Sequence, residues 1–142
     1  MKNTILVSLT VLCMVVLSAS TDPVKGVTAK PALVIGAFID AQMHNDAKLF
    51  NEILDDYALL NVSRGKEIVK FKKKQLVDFY KKIGYINLNC KAEYEILSQN
   101  DNVILSRVDF KFDHFLQQNF ITIEKDKNDA WKIVNVSRFN IQ

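Results

Sequence analysis

The sequence predicts an α+β fold, with three helices in the N-terminal part packed on a curved, mainly antiparallel sheet. Two observations carry this. Apolar residues recur at helical spacing in the first half and alternate at period two in the last third. The helix signals also come as a block ahead of the long strands, and segregated blocks mean α+β rather than a parallel α/β sheet. Long strands twist and curl. A curled sheet wrapped over a helix layer makes a cone-shaped barrel with a mouth.

The chain of 142 residues suits one domain with a full core, and 49% hydrophobic with 25% charged residues is ordinary for a globular protein. Residues 1–20, "MKNTILVSLTVLCMVVLSAS", stand apart from the fold. One Lys, an apolar run from Ile5 to Leu17 and small residues Ser18 to Ser20 make the layout of a secretory signal peptide. The run is shorter than the roughly 20 residues a membrane-spanning helix needs. The expectation is an exported protein, periplasmic or extracellular, with no membrane attachment after cleavage. Cys13 leaves with the signal, so Cys90 stands alone and the domain holds together without an internal disulfide. A formal charge of +3 is too small to imply a nucleic-acid partner. The basic run Lys70–Lys74, extended by Lys81 and Lys82, reads as a solvated helix face.

Residues 21–30 carry Pro23 and Gly26 without periodicity and read as a flexible lead-in to a single domain over 31–142. Pro31 suits the first position of a helix, and Ala32 to Met43 is apolar nearly all round, which marks a buried helix. Asn45 or Asp46 can cap a second helix, whose Leu49, Phe50, Ile53 and Leu54 share a face. Tyr57–Val62 and "KEIVKF", separated by Gly65, read as a short hairpin. Leu76, Phe79, Tyr80 and Ile83 then fall at helical spacing, and Gly84 stops the third helix. Four alternating runs follow, Tyr85–Leu97, Val103–Phe112, Phe115–Glu124 and Trp131–Phe139. Joined by polar turns, they read as an antiparallel meander. Strict alternation puts Trp131, Ile133, Asn135 and Ser137 on one face of the last run and Lys132, Val134, Val136 and Arg138 on the other.

Three stretches carry a resemblance: "FIDAQMHNDAKLFNEILDDYALL", "QLVDFYKK" and "FDHFLQQNFITIEKDKNDAWKIVNVSRF". With the element order, they make residues 31–139 similar to the nuclear-transport-factor-2-like superfamily, which includes SnoaL-like cyclases, ketosteroid isomerases and small exported bacterial proteins of the lumazine-binding type. The resemblance implies a last strand that closes the sheet, with Trp131 at its edge, and a homodimer formed through the outer sheet face. That face would carry Arg107, Asp109, Lys111, Lys132 and Arg138. It also implies a cone cavity as the site.

Enzymes of the superfamily place a carboxylate or a His–Asp pair in the cone, so the catalytic candidates are Asp40, which can meet His44, and the Asp113–His114 pair. Tyr80, Tyr94, Asn119 and Trp131, with Gln117, are candidates for contact with a small apolar or aromatic ligand. The isomerase set of one Tyr and two Asp does not map onto the chain. The sequence holds no metal-ligand spacing, no phosphate loop and no nucleophile motif, so no cofactor is expected. The reading is therefore a binding or interaction domain, with a SnoaL-like cyclase or isomerase as the alternative.

Overall fold

A computed structural model describes residues 24–142. The segment read as an export signal, and residues 21–23 of the lead-in, lie outside the described residues. Three helices pack on one face of a six-stranded sheet. The elements are α1 (Pro31–His44), α2 (Ala47–Ile53), β1 (Leu54–Arg64), β2 (Glu67–Lys72), α3 (Lys73–Ile83), β3 (Lys91–Gln99), β4 (Val103–Lys111), β5 (Leu116–Lys125) and β6 (Trp131–Ile141). The fold is the expected α+β cone.

The helix boundaries follow local chemistry. Pro31 opens α1, and Asn45 ends it in the left-handed region at φ 54°. The side chain of Asp46 then accepts the Leu49 N–H at 2.9 Å and starts α2. Val34, Ile35, Phe38 and Ala41 bury the inner side of α1. Phe38 meets Phe50 of α2 edge-on and Phe110 of β4 at a tilt, with ring centroids 6.0 and 6.3 Å away. The β1–β2 hairpin turns on Gly65 and Lys66, and Gly65 supplies the positive φ of 61° that such a two-residue turn requires at its first position.

The strand order is β2-β1-β6-β5-β4-β3. The meander over the last four strands is antiparallel, as expected, but β6 does not close the sheet at an edge. It lies in the interior, antiparallel to β5 and parallel to β1, and the edges are β2 and β3. Trp131 is thus buried at the start of a central strand.

Two further readings are corrected. The run from Tyr85 does not pair until Lys91. Residues 84–90 instead pass the end of α1, where Ile86 and Leu88 donate their N–H groups to the carbonyls of His44 and Met43 at 3.2 and 3.0 Å. Last-turn carbonyls of a helix lack internal partners, and the passing chain supplies them. The second correction concerns β6. Thr122 and Ile123 are consecutive on β5, yet they pair with Asn135 and Ile133, so Val134 is an extra residue in a β-bulge. One extra residue exchanges the faces of everything after it. Val136 and Arg138 therefore share the inner face with Trp131 and Ile133, while Asn135 and Ser137 turn outward.

Candidate functional site

The C-terminal part of β6, the facing residues of β5, the β1–β2 hairpin and α3 enclose a cavity of about 560 Å³. Leu60, Val62, Phe71, Leu76 and Phe79 supply its apolar walls. Its polar wall residues include Tyr80, Gln117, Arg138 and, at the hairpin, Arg64.

Arg138 is the centre of a hydrogen-bonded group drawn from four elements. Its Nε donates to Asn119 Oδ1 at 2.7 Å, and its Nη2 donates to Gln42 Oε1 at 2.8 Å. The same Gln42 oxygen accepts the Tyr80 hydroxyl at 3.0 Å. The amide nitrogen of Asn119 donates to the Val108 carbonyl at 3.4 Å. Asn119 is fully buried, and Tyr80 and Gln42 nearly so. Both amides turn an oxygen toward the guanidinium, so it is held in place without being neutralised. Among the described residues no carboxylate lies within 4.0 Å of Arg138. Gln117 adds an amide oxygen that is sealed from solvent and has no hydrogen-bond partner.

The other sequence candidates lie elsewhere. Asp40 is exposed on α1. His44 does not meet it but stacks on Tyr85 with ring centroids 5.3 Å apart, its Nδ1 3.3 Å from the Ile86 carbonyl. Asp113 and His114 form the exposed tip of the β4–β5 turn. That turn is closed by Phe112 N–H donating to the Phe115 carbonyl at 3.0 Å and by the stacked rings of the same two residues. Tyr94 points to the inner side of the sheet from edge strand β3, but no helix covers it there and it is 51% exposed. Trp131 lies away from the cavity walls, with the Lys125 ammonium 5.0 Å from its ring centre. Of the four ligand-contact candidates, Tyr80 and Asn119 belong to the cavity group.

Two members of the group were missed. Arg138 was assigned to the outer face, and the bulge at Val134 places it inside. Gln42 was passed over, although a lone amide in the apolar run of α1 is the kind of anomaly that marks a polar contact in a core. Cys90 is a half-buried thiol with its Sγ 3.3 Å from Met43 Sδ, and burial raises its pKa. Among the described residues no cluster of three or more His, Cys, Asp or Glu could hold a metal ion, and no helix is long and apolar enough to cross a membrane.

A helix layer on a curved sheet, with a cavity between the last strand and the third helix, is the nuclear-transport-factor-2-like fold. Solved structures of that fold superpose on this chain. One, of unknown function from Silicibacter pomeroyi, shares 11% identity at a TM-score of 0.66 and covers 78% of this chain and 92% of its own. A second, from Methylobacillus flagellatus and also of unknown function, shares 16% identity at a TM-score of 0.65 and covers 78% and 89%. A third, a candidate ketosteroid isomerase from Parabacteroides distasonis, shares 12% identity at a TM-score of 0.57 and covers 84% and 94%. At these identities the likeness is one of fold alone. No protein-family model matches the chain, and no curated protein is similar to it in sequence.

Proposed function

We propose that the chain is an exported, non-catalytic domain that binds a small apolar or aromatic molecule in its cone. The observation that carries this is the cavity itself. Its volume of about 560 Å³ lies within the range of ligand sites, and its wall joins an apolar part, Leu60, Val62, Phe71, Leu76 and Phe79, to polar groups that include Tyr80, Gln117 and Arg138. No Asp, Glu or His lies on its wall to move a proton, and Asp40, Asp113 and His114 are all at the surface. Export is supported by the layout of residues 1–20.

The reading includes pairing of two copies through the outer sheet face. That face offers the stacked rings of Phe120 and Phe139, 5.4 Å apart, and the charge pairs Arg107–Glu95 at 3.2 Å and Lys111–Glu93 at 2.6 Å. A two-fold can match such mixed charges to themselves. Arg138 belongs to the cavity instead, and Lys132 is engaged with the Glu52 carbonyl at the end of α2.

Native mass spectrometry of the protein purified gently from its own host tests the reading. A dimer that carries a reproducible small-molecule mass is the expected result. A bare species that also rejects hydrophobic fluorescent probes would overturn the binding role, and a monomer at high concentration would overturn the dimer.

A further inference from the structure

We propose that the molecule taken by the cone is a carboxylic acid with an apolar body, its carboxylate seated on the free edge of Arg138. This rests on the cavity reading above and names the class of ligand. The side edge of the guanidinium, Nε with Nη2, is occupied by two neutral amide oxygens. At the end edge, Nη1 makes no hydrogen bond with any described residue, and Nη2, which spends one N–H on Gln42, has a second N–H left. Nη1 is not sealed either, being a partnerless atom that still reaches solvent. Two parallel N–H groups in one plane are the complement of a carboxylate.

Charge points the same way. The wall carries two arginines, Arg138 and Arg64, and no acid. A cation in a partly desolvated cavity is left short of a counter-charge, and a ligand anion supplies it. Leu60, Val62, Phe71, Leu76 and Phe79 form an apolar part of the wall that suits a hydrocarbon or aromatic body, beside the polar Ser63, Gln75 and Asn140. A carboxylate is favoured over a phosphate because only one guanidinium fork lies at depth. Arg64 is exposed and packs over Phe71 at 5.9 Å.

The test titrates the purified protein with three probes of one shape: naphthoic acid, the neutral naphthalenemethanol and naphthyl phosphate. The acid binds at least about tenfold tighter than the alcohol, the worth of a charge-assisted pair. Arg138→Gln weakens the acid by about 10- to 100-fold and the alcohol by much less, so the preference for the acid is lost. If Arg138→Gln does not fold, Gln42→Glu serves, since it supplies the counter-charge from within and removes the preference for the acid. Equal binding of acid and alcohol, unaffected by either variant, would overturn the carboxylate assignment and leave the cavity reading standing. Tighter binding of the phosphate would overturn it in favour of a phosphate ester. Failure of all three probes would overturn the cavity reading, and the carboxylate assignment with it.

Discussion

Gln42→Glu separates what the Arg138 group does for the fold from what it does for a ligand. The substitution is nearly isosteric. It exchanges one neutral acceptor for a carboxylate at a point already 2.8 Å from Arg138 Nη2 and 3.0 Å from the Tyr80 hydroxyl. The attraction between unit charges about 4 Å apart is about 4 kcal/mol at an effective dielectric of about 20. Desolvation of the new carboxylate opposes it by about 2–3 kcal/mol, while the burial of Arg138 is already part of the native state. The net gain is about 1–2 kcal/mol near neutral pH, or roughly 4–8 °C in Tm for a domain of this size. The arginine lowers the folded-state pKa of the introduced carboxyl below its unfolded value, near 4.3. A depressed acid stabilises above the unfolded pKa, and the gain disappears as pH falls through the folded pKa. Thermal denaturation of both proteins, followed by circular dichroism at about pH 7 and about pH 3, reads the difference. A Tm at or below wild type at neutral pH would refute the reasoning. So would a gain that persists unchanged in acid, because it could not then come from the new charge.

The core and the bulge give further tests. Phe38→Ala removes a ring that is 1% exposed and packed against Phe50 and Phe110, and costs about 3–5 kcal/mol in urea unfolding. Deletion of Val134 removes the extra residue, so Ile133 and Asn135 become neighbours opposite Ile123 and Thr122 while Val136 and Arg138 stay on the inner face; a cooperative thermal transition is expected to persist, and its loss would refute the bulge as the cause of the face exchange. Burial raises the Cys90 pKa, so the native thiol reacts more slowly with a disulfide reagent at mildly alkaline pH than the same thiol in denaturant. That burial favours the fold while the thiol stays protonated, and the contribution is lost as pH rises through the folded pKa.

The architecture was legible in the sequence because each level agreed with the next. The all-round apolar α1, the Asn-Asp break before α2 and the alternation of β4 and β5 each have one physical reading, and the chain adopts it. The exceptions share a cause. Tyr85–Asn89 alternates like a strand, but its donors are taken by the last carbonyls of α1, a partner that period-two counting does not see. The parallel pairing of β1 with β6 joins segments far apart in the chain, and no local pattern announces it. The site was half legible. Tyr80 and Asn119 follow from their periods, whereas one bulge residue inverted the placement of Arg138. A bulge at Val134 has no Gly or Pro to mark it.

Stability alone does not account for the group around Arg138. The bulge brings Val136 into the core, and that burial is a sufficient apolar reason for it. The same turn of the strand also brings in an arginine two residues later, where any apolar side chain would fill the wall. Replacing buried charges by apolar residues of similar size is often neutral or stabilising. Here the charge is held instead by an amide from α1 and another from β5, both themselves buried and both aimed oxygen-first at one guanidinium. A core needs no such convergence, and each added polar group raises the cost of leaving any one of them unpaired. A site does need it, because a ligand can only be oriented by groups that are themselves fixed. On the proposed reading, the free edge of Arg138 is the place where this fold departs from the requirements of folding and begins to serve recognition.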